Sequence, residues 1–537
     1  MSQLEELHAR AQTGVLQEGD ALVIKGLIEC VKVLGQAVDE KAATIKKLLR
    51  GIFGPSTEKK DNVLKDKKKQ TDDENDDSDA NGDSPNPADD SPNPADKSKK
   101  KKKRKGHGRN GAEDYPGAKR VGVEHPDLQN GSACPKCLEG KLYTIKPGTE
   151  IRITGTAPLQ GTVYEREKFR CSLCLEIFTA PMPEDAPVNK YDASAATMIA
   201  LLKYGRGMPF YRLEGLQGNL GIPLPASTQW EQVNEQAQHL KPVFQEFIKQ
   251  AAEGEVLHDD DTYVKILSLI KENKTENPER KGMFTTGIVS LNEERTIILF
   301  FSGRNYAGEN MDEVLEHRDA EEKPPPLQMC DGLINRNVPK QFKTILALCL
   351  VHARRNFVNA APSFPEECAV VLEILAEVYK FDADTKDGNM SPEERLRYHQ
   401  ENSGPLMEKL GVWLEERSQD EKIEENSNLG KAIVYMLKHW KELTAFLRIP
   451  NAPLDNNICE RALKKAILHR KNALFFKNAN GAFVGDLYMS LIYTCESAGV
   501  NSFEYLTALM EHHERIQDAP AEWMPWNFKE TLSKPAA

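Results

Sequence analysis

The sequence has no hydrophobic run of the roughly 18 residues that a membrane span needs, and no apolar core of a secretory signal near its start. It also has no excess of positive charge, since 82 acidic residues outnumber 71 basic ones, so composition alone does not indicate a nucleic-acid binder. Its ten cysteines include two CxxC pairs, which favour a metal site in a reducing compartment over a disulfide framework. We therefore expect a soluble, cytoplasmic protein with no membrane contact, and the 537 residues predict about three domains.

Residues 20–53 carry a heptad pattern, which predicts that residues 1–55 form a long helix or a coiled coil. Two seven-residue series of apolar positions support it: Leu27, Leu34 and Leu48, and Val31, Val38, Ile45 and Ile52. A coiled coil would bring together copies of the chain, which predicts a homo-oligomer. A helix packed on its own domain fits the same pattern equally well.

Residues 56–113 predict a disordered linker, acidic first and basic afterwards. The acidic half repeats the sequence Ser-Pro-Asn-Pro-Ala-Asp from Ser84 and again from Ser91. The basic half is a flexible polycation suited to a phosphate backbone, and its candidate DNA-binding residues are Lys101, Lys102, Lys103, Arg104 and Lys105. A merely solvated linker is the alternative interpretation.

Two CxxC pairs in residues 114–185 predict a zinc ribbon. The four thiolates would belong to Cys134, Cys137, Cys171 and Cys174, with short alternating segments and Gly and Pro turns between the pairs. Four cysteines in this spacing typically hold a structural Zn²⁺ ion in tetrahedral geometry.

The remainder of the chain predicts a helical region followed by an α/β core. Residues 186–254 are similar in pattern to a helix-turn-helix, with Ser227 as the expected cap of the second helix, although ordinary helical domains contain such pairs too. Strands are predicted at 256–270, 284–291, 296–301, 327–330 and 344–351, which gives a mixed sheet over residues 255–364. Residues 365–447 read as a helical insertion or lid, and residues 448–537 return to the core with a helix after Asn457, its expected cap.

Acidic residues occur at three informative places in this core. Asp259, Asp260 and Asp261 lie inside the first strand, Asp331 follows a later strand, and Glu460 opens a late helix among basic residues. Buried acids are costly unless they are paired or bind a metal. One acid from each element suits a pair of Mg²⁺ ions that act on a polyanion. Unrelated surface acids remain the alternative from spacing alone.

Five sequence blocks resemble insertion-sequence family 66 transposases of the TnpC type. They begin at Val256, Leu327, Cys349, Leu454 and Arg470, and read VLHDDDTYV, LQMCDG, CLVHARRNF, LDNNICER and RKN. The resemblance implies a ribonuclease H-like catalytic core and an Asp260, Asp331, Glu460 triad with Mg²⁺ (or Mn²⁺). Asp259 or Asp261 replaces Asp260 as the ligand if the strand is shifted in register.

The resemblance further implies a bacterial, nucleoid-associated transposase that acts on double-stranded DNA, namely terminal inverted repeats and target, with accessory proteins of the same element as further partners. Basic residues beside the triad are candidate DNA contacts: Arg354, Arg355, Arg461, Arg470 and Lys471. Two rival functions keep most of these features. One is a nuclease without strand transfer, and the other is a catalytically inert DNA-binding protein of transposase descent.

Overall fold

The computed structural model describes residues 158–170 and 177–534, except 185, 187, 277, 293–294, 320, 322 and 422, and also residues 20, 23–26, 32, 130–132 and 141. The chain divides into two compact units, residues 1–73 with 159–537, and residues 74–158. Residues 23–26 are helical. The rest of the heptad, residues 101–105 and the four cysteines of the predicted zinc ribbon lie outside the described residues.

Seven strands are described in the first unit. A short antiparallel pair, β1 and β2, precedes the core, in which five strands form one mixed sheet. The strands are β1 Lys168–Arg170, β2 Ile177–Thr179, β3 Val256–Tyr263, β4 Phe284–Leu291, β5 Thr296–Gly303, β6 Leu327–Cys330 and β7 Ile345–Leu348. The order in the large sheet is β5-β4-β3-β6-β7, with β3, β4 and β5 antiparallel and β6 and β7 parallel to β3. This arrangement confirms the prediction of an α/β core with a mixed sheet.

The first strand of that sheet ends earlier than predicted. It stops at Tyr263, and residues predicted to continue it form a helix, α4 (Leu267–Thr275), instead. Ile266 is fully buried, while Leu269 and Ile270 pack against the same small core. These three positions follow a helical spacing rather than strand alternation, which explains why the prediction for residues 264–270 was wrong.

Helices cover both faces of the sheet and account for most of the described residues. In chain order they are α1 Ala193–Ala200, α2 Phe210–Asn219, α3 Ala226–Ala252, α4, α5 Ala307–Leu315, α6 Ile334–Asn337, α7 Leu350–Ala360, α8 Pro365–Asp387, α9 Pro392–Asn402, α10 Gly404–Ser418, α11 Asn428–Lys438, α12 Trp440–Leu443, α13 Asn457–Ala473, α14 Ala479–Ser497, α15 Ser502–Glu511, α16 His513–Asp518 and α17 Phe528–Ser533. A π-helical turn, Leu201–Gly205, extends α1, and short 3-10 turns lie at Ala445–Leu447 and Pro520–Trp523. Among the helices described, none has the length and apolar character needed to span a bilayer.

Two predicted helix caps are displaced. Helix α3 begins at Ala226 after Pro225, so Ser227 lies inside its first turn. Asn457 is the first residue of α13, and the capping position belongs to Asn456. Pattern reasoning places helix ends only to within one or two residues, because several polar residues stand together at each start.

The apolar core has two large parts that meet at the sheet. One contains β4 and β5 with α3, α13, α14 and the C-terminal helices. The other contains β6, β7 and α7 together with α8, α10 and α11 of the predicted insertion, including fully buried Leu372, Leu410 and Met436. The helices between residues 365 and 447 therefore share a continuous core with the sheet, and do not form a detached lid.

Candidate active site

The three consecutive acids of β3 point to opposite faces of the sheet. His258 Nδ1 lies 2.9 Å from Asn456 Oδ1, just before α13, and Thr262 Oγ1 accepts a hydrogen bond from Arg470 of α13. Because side chains alternate along a strand, Asp260 shares this face with residues 258 and 262. Asp260 therefore faces α13, the helix that carries Glu460.

Asp259 and Asp261 lie on the opposite face, where they bond within the fold. Asp261 accepts hydrogen bonds from Thr286 Oγ1 (2.5 Å) and from the backbone N–H of Ala307 (3.0 Å) at the start of α5. Asp259 is fully buried and accepts one from Gln328 Nε2 (2.7 Å), and its other oxygen has no partner among the described residues. Burial, followed by the nearby acids, keeps the pKa of Asp259 well above its usual range despite this hydrogen bond.

Asp331 lies beside Asp260 because β3 and β6 are parallel neighbours. The last paired residues are His258 and Met329, and Asp260 and Asp331 each come two residues later. Residues in register on parallel strands point to the same face, and the carboxyl ends of such strands meet at one edge. Asp331 Oδ1 accepts hydrogen bonds from Leu333 N (2.8 Å) and Asn337 Nδ2 (2.7 Å), which orient the carboxylate.

Glu460 is in the first turn of α13, which packs closely on β3 and β4. Gly287 of β4, the partner of Asp260 in the ladder, permits this approach, since a Cβ there would lie 3.1 Å from Leu463. Cys459 Sγ also lies 3.2 Å from the carbonyl oxygen of Gly287. The absence of a side chain at position 287 thus brings the third acid over the first strand.

Asn456 fixes the start of α13 and was missed as a site residue. Its buried side chain donates to the carbonyl oxygen of Asp259 (2.8 Å) and contacts His258, and its backbone N–H donates to Cys349 Sγ (3.3 Å). Burial outweighs the bond to Asn456 and lowers the pKa of His258 to about 4, so the imidazole is neutral at pH 7. In the sequence, the neighbouring Asn457 was the expected helix cap, and nothing marked Asn456 as a site residue.

The acids raise the free energy of one another's charged forms. Burial, and then the charges of Asp331, Asp261 and Glu460, raise the pKa of Asp260 to about 7 against the hydrogen bond from the backbone N–H of Asp261. Glu460 Oε1 is a buried atom without a hydrogen-bond partner among the described residues. Carboxylates that affect one another's charge, one of them with an unused buried oxygen, suit a divalent cation, for which Asp260, Asp331 and Glu460 would be the ligands. Among the described residues, the group whose ligand atoms all lie within 4.8 Å of one another is instead Cys349, His352 and Glu460.

Cys349 and His352 lie next to Glu460 and were not predicted as ligands. Cys349 follows β7, and His352 is in the first turn of α7, with its Nε2 3.9 Å from Glu460 Oε1. The ligand atoms of all three residues lie within 4.8 Å of one another. In the sequence, Cys349 read most simply as a buried apolar residue, because nothing in residue spacing relates it to position 460.

The predicted DNA-binding residues that the structure describes differ from one another in exposure and in contacts. Arg461 and Lys471 are exposed on one face of α13, where Lys464 and Leu468 are exposed too. Arg470 instead donates to Thr262 Oγ1 (3.1 Å) and to the carbonyl oxygen of Tyr263, tying α13 to the end of β3. Arg354 and Arg355 are half-buried on α7.

Comparison with known proteins identifies relatives of this chain. A family model described as "Transposase IS66 family" matches residues 190–483. The uncharacterized protein y4jD of Sinorhizobium fredii (strain NBRC 101917 / NGR234) is 27% identical over 424 residues, or 73% of this chain and 78% of the relative. Protein y4hP of the same organism is 26% identical over 445 residues, or 76% and 75%.

The family match coincides with the site. Residues 190–483 make up more than half of the chain and contain Asp260, Asp331, Glu460 and the whole five-stranded sheet. The chain therefore belongs to the IS66 family of transposases.

Proposed function

We propose that the protein is a transposase that binds the ends of its element and catalyses metal-dependent DNA cleavage and strand transfer. The observation that carries this proposal is the convergence of three acids from distant parts of the chain. Asp260 lies in β3 and Asp331 directly follows β6, the parallel strand beside it, and Glu460 is in the first turn of the helix packed over β3. Other acids are among the causes that raise the pKa of Asp260, and Glu460 Oε1 has no hydrogen-bond partner among the described residues, which is typical of a site built for a cation.

The sheet supports a ribonuclease H-like core. Three antiparallel strands are followed by two strands parallel to the first, in the order β5-β4-β3-β6-β7. This topology puts the first strand at the centre, beside the strand that precedes Asp331. Family membership and topology together support the assignment of the triad to Asp260, Asp331 and Glu460.

The three carboxylates fit Mg²⁺ (or Mn²⁺), which prefer oxygen ligands and usually bind few protein carboxylates together with substrate phosphates. When bound, two such ions would activate the attacking oxygen and stabilise the leaving oxygen of a phosphodiester. Asn337 and the backbone N–H of Leu333 hold Asp331 in place for this task. Asn456 and Arg470 hold α13, and with it Glu460, against β3.

The DNA would lie along the exposed face of α13. Arg461, Lys464, Leu468 and Lys471 follow one another at spacings of three or four residues, so they form one stripe. A groove of about 700 Å³ beside the start of this helix is lined by further cations from the helical insertion, Lys386 and Arg395. We also assign DNA contacts to residues 101–105 and the zinc ribbon, and pairing of protomers to the heptad.

The test is a cleavage and joining assay with full-length protein, Mg²⁺ or Mn²⁺, and a labelled duplex that carries the element's terminal repeat. We expect cleavage and joining by the wild type and a loss of about a hundredfold or more in Asp260→Asn, Asp331→Asn and Glu460→Gln. Asp259→Asn is the matched control, because this carboxyl is buried on the opposite face and hydrogen-bonded within the fold to Gln328. It should remain within a few-fold of the wild type.

Other outcomes favour the rival functions. Cleavage without joining would indicate a nuclease. Specific binding without cleavage, even with the element's other proteins present, would indicate an inert DNA-binding protein. Loss of cleavage in Asp259→Asn but not in Asp260→Asn would move the first ligand by one residue.

A further inference from the structure

A sulfur and a nitrogen atom lie beside the proposed third carboxylate. Cys349 Sγ, an imidazole nitrogen of His352 and a carboxylate oxygen of Glu460 are all within 4.8 Å of one another. The three residues come from the end of β7, the first turn of α7 and the first turn of α13. Each element is anchored in a buried core, since Leu350, Ala353 and Cys459 are fully buried.

Two atoms of this cluster lack the partners that buried polar atoms normally have. Glu460 Oε1 and His352 Nδ1 are both inaccessible to water and have no hydrogen bond among the described residues. The His352 ring and the Glu460 carboxylate are 3.9 Å apart, measured from Nε2 to Oε1, which is too long for a hydrogen bond. Unpaired buried polar groups are costly, and an ion bound by Glu460 Oε1 and one imidazole nitrogen would satisfy the carboxylate oxygen.

Burial raises the pKa of the Cys349 thiol to about 11, so a metal must displace its proton, and nearby backbone donors offset part of that cost. The residue caps an eleven-residue helix, α7, so the positive end of the helix dipole points at it. The backbone N–H of Asn456 donates to its sulfur at 3.3 Å, and the backbone N–H groups of Val351 and His352 contribute too. These donors would stabilise a thiolate once an ion displaces the proton.

We propose that Cys349, His352 and Glu460 bind a borderline-soft divalent cation of the Zn²⁺ class. Thiolate and imidazole select such an ion over Mg²⁺, and three protein ligands leave one coordination position for water or a phosphate oxygen. Glu460 belongs to both ligand sets, so this ion and the catalytic Mg²⁺ compete for it. The competition rests on the proposed function, whereas the binding does not.

Cobalt binding tests the site directly. Full-length protein, its CxxC cysteines first saturated with Zn²⁺, is titrated with Co²⁺ while thiolate-to-cobalt charge-transfer absorption and bound cobalt are measured. We expect one more bound Co²⁺, with a thiolate band, in the wild type than in Cys349→Ser and His352→Ala. Cys368→Ser, which alters a cysteine buried in α8 away from the cluster, is the matched control and should keep both signals.

Equal cobalt binding and equal spectra in the wild type and Cys349→Ser would overturn the site. Unfolding curves identify a variant that fails to fold, and Cys349→Ala then provides a second replacement that removes the sulfur. With folded protein, each result either supports the site or removes it.

Competition is measured in the cleavage assay at fixed Mg²⁺, with each variant normalised to its own rate without added Zn²⁺. The Zn²⁺ concentration that halves the wild-type rate should rise about tenfold or more in Cys349→Ser, in line with the loss of a ligand or its support. Equal inhibition of both proteins would overturn the competition. If the protein binds cobalt but never cleaves DNA, the metal site is supported and the proposed function is contradicted. If it cleaves DNA but does not bind cobalt, the proposed function is supported and the metal site is contradicted.

Discussion

Asp382 is buried and Asp260 is half-buried, yet the charges around them are opposite in sign. Asp382, in α8, lies 2.6 Å from Lys386 Nζ, 2.7 Å from Arg395 and 3.5 Å from His399. Burial alone would raise the pKa of Asp382, but the nearby His399 imidazole, the hydrogen bond from Lys386 and the charge of Arg395 hold it well below its usual range. Asp260 has other acids around it, and its pKa rises to about 7.

The contrast distinguishes a structural carboxylate from a functional one. The fold neutralises Asp382 with its own cations, so the charge stabilises the packing of α8 on α9. Around Asp260 the fold supplies negative charge without a matching cation, and the free energy this costs is offset only when a cation binds from outside. Substitutions that remove one charge from each place should therefore have opposite effects on stability.

The largest effect is expected from Asp382→Asn. Removing one partner of a buried ion pair leaves Arg395 without its counter-charge, and we expect a loss of about 3–5 kcal/mol in the free energy of unfolding. Denaturant unfolding followed by circular dichroism measures it. Asp387→Asn, an exposed change on the same helix, should stay within about 0.5 kcal/mol.

The same site predicts a dependence on pH. Because the folded-state pKa of Asp382 is lowered, its contribution is present above the unfolded value of 3.8 and is lost as the pH falls below it. The difference in unfolding free energy between wild type and Asp382→Asn should therefore be constant from pH 5 to 7 and shrink below about pH 4. A difference that grows on acidification would contradict this account.

The next largest effect is expected from Asn456→Ala. The change leaves the carbonyl oxygen of Asp259 and the ring of His258 without their buried partner, at a cost of about 2–4 kcal/mol. Because Asn456 also positions α13, cleavage should fall together with stability. Asn457→Ala, whose side chain is half-buried in the next position, is the control and should have a much smaller effect on unfolding.

Asp260→Asn should instead increase the free energy of unfolding. Without metal, the variant should be more stable than the wild type by about 1–2 kcal/mol at pH 8, because one of several repelling charges is gone. Added Mg²⁺ should then raise the melting temperature of the wild type but not that of the variant. Destabilisation by this change would show that the acids of the site are paired after all.

The smallest effects belong to the cations of α13. Lys464→Ala and Lys471→Ala should each lower the slope of log affinity for DNA against log salt by about 0.9, with little change in unfolding. Lys409→Ala, an exposed change in α10, is the control. An unchanged slope in both α13 variants would place the DNA elsewhere.

Much of the core could be predicted from local pattern. Strands β4 and β6 have the predicted bounds, and β5 and β7 differ by only a few residues, because apolar runs bounded by turns determine strands locally. The sequence also placed one acid on each of three elements. Pattern alone left open which residue of the Asp259 to Asp261 run faces α13.

Long-range packing accounts for what the sequence could not supply. The contact of Asn456 with β3 joins residues almost 200 positions apart, and Tyr435 of α11 fills the space above Gly332 that any side chain there would occupy. Neither contact produces a repeating pattern in the sequence from which it could have been predicted. The proximity of Cys349 to Glu460 and the shared core of the helices between 365 and 447 have the same origin in tertiary structure.

The order of the acids along the chain has a consequence for timing during synthesis. Two of them are fixed side by side by the ladder between β3 and β6, but Glu460 is translated 200 residues after Asp260. At synthesis rates of roughly 5–20 residues per second, about 10–40 seconds pass between the first and third acid. Under the proposed assignment a nascent chain is inert throughout this interval, and the ability to cut DNA arises only after Glu460 has been added and α13 has packed on β3.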